Sequence, residues 1–255
     1  MSGHSKWSTI KHKKGAKDAQ RGALFTKLAK NITIAANEGG GDPDMNFSLR
    51  LAVDKAKQAN MPKDNIERAI KKGTGELEGD QLSRISYEAY GTDGAAIMID
   101  CTTDNTNRTV SEVKKILESH GGKMADPGSV AWQFEEKGLL VVRPEVLKEA
   151  EKFGKEPEYI EVDTEDLILE LMEMEGVLDV SNEDGVIEVL CSRDSLQSLD
   201  SSIKDKNYKV ESSELVKIAK DSLDMAQASR DKVENMIEAL EEHDDVDSVW
   251  TNVEL

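Results

Sequence analysis

The sequence predicts an α+β multidomain fold: an N-terminal helical bundle plus two ferredoxin-like βαββαβ domains, the second inserted into the first. Three observations lead there. Apolar residues recur every three to four positions from Asp18 to about residue 75, the period of helices with one buried face. Beyond residue 84 the pattern changes to short apolar runs alternating with helical stretches. Counted from Gly138 these elements read βαββαβ, and those left over on either side make a second set in the same order. The expected boundaries are 1–76 for a basic arm and helical domain, 77–136 with 213–255 for a discontinuous domain, and 137–212 for the inserted one.

The first sixteen residues show no clean period and read as an arm. From Asp18, Leu24, Leu28, Ile32 and Ala35/Ala36 form a helical stripe that Phe25 and Ala29 widen, and "EGGGDP" at 38–43 ends it, since glycines and proline cannot continue a helix. A second helix is expected from about Met45 to Asn60. Pro62 suits the first turn of a third, carrying Ile66, Ala69 and Ile70, with Gly73 as its stop. Residues 76–84 read as a linker.

"YEAYG" is a short extended run and 95–103 an apolar strand. A helix with Val110, Val113, Ile116 and Leu117 on one face follows, where Thr109 and Glu112 have capping-box spacing. Strands are expected at 129–134 and 138–142, then a charged insertion at 145–162 with a helical start. A helix at 165–175 leads to strands at 177–181 and 185–191 around the hairpin turn "NEDG". A helix near 194–205, strands at 208–212 and 214–219, a helix at 229–242 with Val233, Met236, Ile237 and Leu240, and a strand at 246–252 complete the chain.

Charge is the strongest functional signal. Residues 1–75 hold 15 Lys and Arg against 7 Asp and Glu, a net of +8, which leaves −26 for the remainder of a chain whose total is −18. Such a molecule attracts a polyanion at one end and repels it elsewhere. The nucleic-acid-binding candidates are His4, Lys6, Trp7, Lys11, His12, Lys13, Lys14, Lys17, Arg21, Lys27 and Lys30, with Asp18 the only acid through residue 30. The cations can pair with backbone phosphates, and Trp7 offers a face for stacking on an unpaired base. Lys27 and Lys30 fall opposite the apolar stripe, placed for solvent or ligand. The plainer alternative is a solubilising tail with Trp7 docked on the helices.

Other constellations say less. Arg108, at a helix start, is a candidate anion contact, or "DNTNRT" is only a capped turn. "EEHDD" at 241–245 suggests a metal only weakly against a solvated helix end, and His120 beside Gly121–Gly122 reads as a helix end. No phosphate-cradling loop, metal-ligand spacing or nucleophile elbow appears, so neither an enzyme, a metal nor a cofactor is expected. Cys101 and Cys191 each lie in an apolar stretch and read as buried free thiols. No apolar run approaches the ~20 residues that cross a bilayer, and no secretory leader is evident. A cytoplasmic protein without membrane partners is the expectation.

The segments "GHSKWSTIKHKKGAKDAQRGALFTKLAKNI", "EGGGDP", "MPKDNIERAIKKG", "YEAYG", "DNTNRTVSEV", "GSVAWQF" and "IEALEEHDDVDSVWTN" closely resemble the YebC family, which includes the mitochondrial translational activator of cytochrome c oxidase. Residues 144–163 and 213–228 depart from the family pattern. The resemblance implies three domains around a cleft and a role in gene expression. That role is either a probable transcriptional regulator binding DNA or a translation factor that engages ribosomal RNA and relieves stalling. A scaffold whose acidic domains bind basic proteins is the remaining alternative.

Overall fold

The computed structural model describes residues 18–79, 81–148, 157–183 and 185–255 (the side chains of 18–20 and 183 aside). By its internal contacts the chain falls into two compact units, Met1–Glu135 with Ile218–Leu255, and Glu136–Lys217. Helices combine with two antiparallel sheets, an α+β architecture.

The first unit opens with α1 (Asp18–Gly39), α2 (Phe47–Gln58) and α3 (Lys63–Gly73). Leu28, Ile32, Ala35 and Ala36 of α1 pack with Leu49, Val53 and Ala56 of α2 and Ile66 and Ala69 of α3. Asn46 fixes the α1–α2 turn from inside it. Its amide donates to the carbonyls of Ala35 and Gly40, both 2.8 Å, while its Oδ1 accepts the Leu49 N–H and so caps α2. Gly73 is the last residue of α3 rather than its stop. The chain turns at Gly75, whose φ of +80° suits glycine.

What Gly73 supplies is proximity. A Cβ there would lie 2.3 Å from the Thr33 carbonyl and 2.7 Å from the Ala36 Cβ. The close approach lets Thr33 donate to the Ala69 carbonyl and Asn37 to the Gly73 carbonyl. Gly73→Ala is expected to destabilise the bundle by about 1–3 kcal/mol, the usual cost of overpacking, measurable by urea denaturation.

The sheet of this unit has the order β3–β1–β2–β9, from β1 (Ser83–Tyr90), β2 (Ala96–Thr103), β3 (Lys123–Met124) and β9 (Val246–Thr251), with α4 (Thr106–Ser119) and α7 (Gln227–Glu241). β1 and β2 pair along their whole lengths, Ser83 opposite Thr103 and Tyr90 opposite Ala96. Ile97, Ile99 and Cys101 of β2 enter the core that α4 and α7 cover with Val113, Leu117, Val233, Met236 and Leu240. The other face of β2 approaches α1, where Thr102 donates to Asn31.

The second unit is built from β4 (Phe134–Lys148), β5 (Glu158–Glu161), α5 (Thr164–Met172), β6 (Val177–Glu183), β7 (Val186–Ser192), α6 (Leu196–Asp205) and β8 (Tyr208–Ala219), with the first two residues of β4 and the last two of β8 belonging to the first unit. β4 lies between β5 and β7 in the sheet order, β6 lies beyond β7, and β8 also pairs with β4. Leu139, Leu140, Val142, Ile187 and Val189 bury their side chains, as do Leu167, Leu171, Leu196, Leu199 and Ile203 of the helices. Both cysteines are buried and free, and burial pushes the Cys191 thiol up to about 11.

The structure revises five local readings. "YEAYG" belongs to a full eight-residue strand, β1. The stretch 129–134 is no sheet strand: Ala131–Gln133 is a single tight helical turn, and Phe134 begins β4. Residues 214–219 are not a separate strand of the outer sheet but the end of β8, and 145–148 continue β4 instead of starting a helix. The Thr109/Glu112 capping box does not form. α4 begins earlier, and Asn105 caps it by accepting the Arg108 N–H at 3.1 Å.

Candidate nucleic-acid interface

His4, Lys6, Trp7, Lys11, His12, Lys13, Lys14 and Lys17 lie outside the described residues. Arg21 is exposed on the first turn of α1. The other cations of this set meet the same unit's C-terminal segment. Lys27 donates to the Glu241 carbonyl, and Lys30 bridges Asp245. Their expected placement toward solvent is therefore corrected. The face of α1 opposite the bundle is covered by the turn between α7 and β9, because a buried carboxylate there attracts the ammonium groups.

That carboxylate, Asp245, collects four donors. Its Oδ1 takes Lys30, while its Oδ2 accepts Arg108 at 3.0 Å, Thr109 at 2.7 Å and Thr103 at 3.1 Å. Burial alone would raise its pKa, but the hydrogen bonds from Lys30, Thr109 and Arg108 outweigh that and hold it well below the usual carboxylate range. Two residues on, Asp247 shows the opposite balance. Burial raises its pKa, outweighing the hydrogen bonds from Thr102 at 2.7 Å and Asn31 at 2.9 Å and the charges of Lys55 and Lys27. The neighbouring aspartates differ in which side of that balance wins.

Arg108, the candidate anion contact, already has two carboxylates, Asp104 at 2.6 Å and Asp245, yet its side chain stays 43% exposed. "DNTNRT" is a capped turn and a cation site at once. Glu112, His243 and Asp245 approach one another within 4.8 Å. His243 has no lone pair to spare: its Nδ1 accepts the Asp245 N–H at 3.1 Å, and its Nε2–H donates to Glu112 at 2.8 Å. His120 caps the C-terminus of α4, its ring against the Ile116 carbonyl. Sequence reasoning missed Asp245 as the hub, although "EEHDD" pointed to the right segment for a different reason.

Residues 5–76 match the family model described as the TACO1/YebC protein N-terminal domain, and residues 82–253 match that of the TACO1/YebC second and third domain. The chain belongs to the TACO1/YebC family. Its full length is 42% identical to a probable transcriptional regulatory protein of Dictyoglomus turgidum, covering 96% of that protein. A relative of the same description in Pelotomaculum thermopropionicum is 43% identical over 255 residues, 99% of its length. The crystal structure of a conserved hypothetical protein, Aq1575, from Aquifex aeolicus superimposes with a TM-score of 0.83 at 38% identity, covering 98% of this chain and 97% of that one. Among the described residues of this YebC-family chain, no helix is long and apolar enough to cross a membrane.

Proposed function

We propose that this YebC-family chain is a non-enzymatic regulator of gene expression in the cytoplasm that binds DNA through its basic N-terminal segment, residues 3–30. The observation that carries the reading is the charge reversal: a +8 module joined to a −26 remainder confines polyanion contact to one end. The names of the relatives, probable transcriptional regulatory proteins, support it. The ferredoxin-like description of the two sheets and the three-part division at 76, 136 and 212 belong to the same proposal.

A second reading, a translation factor on ribosomal RNA, is favoured by one feature. Lys27 and Lys30 of α1 are held by the α7–β9 turn, so this helix does not present a free row of cations to a major groove. Ribosome co-sedimentation, run beside a gel shift on duplex DNA at matched ionic strength, separates the two. Sequence-selective duplex binding without ribosome association is expected under the DNA reading. Ribosome association with only weak, sequence-blind duplex binding would replace it with the RNA one.

A further inference from the structure

We infer that the groove where α1, α3 and the start of α4 meet receives one unpaired nucleotide of a single-stranded nucleic acid. The inference rests on the nucleic-acid reading above and adds a site to it. The groove encloses about 550 Å³, within the range of about 300–1,000 Å³ that small-ligand sites occupy. Among the described residues, four cations from three helices line it, Lys30, Arg68, Lys72 and Arg108, against one acid, Asp104. In a chain of net charge −18 this is a local reversal of sign.

Lys30 and Arg108 are held in place by Asp245. Arg68 and Lys72 make no ion pair among the described residues and can turn to a phosphate. The apolar part of the lining includes the half-buried ring of Phe25 and the thioether of Met61, which suit the face of a base. Asn65, exposed on α3 and also in the lining, can pair with a base edge through its amide. A duplex keeps its bases stacked on each other and cannot offer one to a concavity of this size. An extruded or single-stranded nucleotide can, with its phosphate on the cations and its base on the ring.

The test is fluorescence anisotropy of the full chain with oligouridine, oligodeoxythymidine and a DNA duplex of equal length. Arg68→Ala/Lys72→Ala is expected to weaken single-strand binding roughly tenfold and to make its log–log salt slope shallower by about 1.4, near 0.7 for each phosphate no longer neutralised, while duplex binding holds. Phe25→Leu, which keeps the apolar volume, is expected to lose single-strand affinity with the salt slope unchanged. Preference for oligouridine would name RNA as the source and equal affinity would include DNA; either supports the groove.

Unchanged single-strand affinity in both variants overturns the inference, as does equal loss on single strand and duplex. Equal competition by polyglutamate also overturns it, making the groove a general acidic-partner site. Lys11→Glu/Lys13→Glu/Lys14→Glu is run in parallel. Loss of duplex or ribosome binding there, with the groove variants silent, would sink the groove and leave the proposed function standing.

Discussion

Asp245→Ala is expected to lower stability by about 3 kcal/mol, the low end of the cost of breaking a buried ion pair. Two effects combine. The change strips Thr103 and Thr109, both fully buried, of a carboxylate acceptor, and it leaves Lys30 and Arg108 without the charge that holds them. The low end applies because Lys30 and Arg108 keep 20% and 43% of their side-chain surface and can turn to water. For a unit of this size the melting temperature should fall by roughly 6–12 °C.

Asp245→Asn gives a second reading of the same residue through pH. The folded-state pKa of Asp245 is depressed, so its contribution is fully present above the unfolded value of about 3.9. It is lost as pH falls through the folded value. The stability gap between wild type and Asp245→Asn should therefore be constant above about pH 5 and close progressively below about pH 4. Urea midpoints measured across that range check it; a gap that widens in acid would contradict the assignment of the charge to Asp245.

Lys11→Glu/Lys13→Glu/Lys14→Glu is expected to weaken nucleic-acid binding by about a hundredfold or more at low salt. Three phosphate contacts contribute about 2.7 to the salt slope on duplex DNA, and reversing the charges adds repulsion. Anisotropy titrations at several salt concentrations would show both the weaker affinity and the shallower slope. Retained affinity with an unchanged slope would remove residues 3–30 from the interface. Melting temperature, measured alongside, separates a binding defect from a folding one.

The helices were legible from spacing because a helix buries one face regardless of what covers it. Leu28, Ile32, Ala35 and Ala36 in α1, and Val233, Met236, Ile237 and Leu240 in α7, are all buried as the stripes require. Leu24 is the exception, 39% exposed at the start of its stripe, beyond the reach of α2 and α3. Strand β1 carries a period-two alternation, Ile85, Tyr87 and Ala89 against Arg84, Ser86 and Glu88, but the burial of Glu88 runs against it. That carboxylate is buried to accept the N–H groups of Gly128, Val130 and Ala131, and no local pattern announces such a role.

The capping box failed for a related reason. Thr109 has the right spacing to cap, but its hydroxyl is taken by Asp245, 136 residues away. The partners of Lys27 and Lys30 are more than 200 residues distant. Helix geometry tells which way a lysine points, not what the fold later brings opposite it.

The chain passes between the two units twice, at 135–136 and at 217–218. Within the first unit Lys220 N–H donates to the Gln133 carbonyl at 2.8 Å, so its two ends lie side by side where the 136–217 segment departs and returns. Topologically that unit is a cassette. It could be exchanged, enlarged or deleted during descent without rethreading the remainder of the polypeptide, which closes on itself at 133 and 220. A shortened chain with 136–217 replaced by a few glycines and serines is accordingly expected to fold cooperatively, its Trp250–Asp100 hydrogen bond intact and visible in near-ultraviolet circular dichroism. The 136–217 segment can then be altered without touching the basic residues of the first unit.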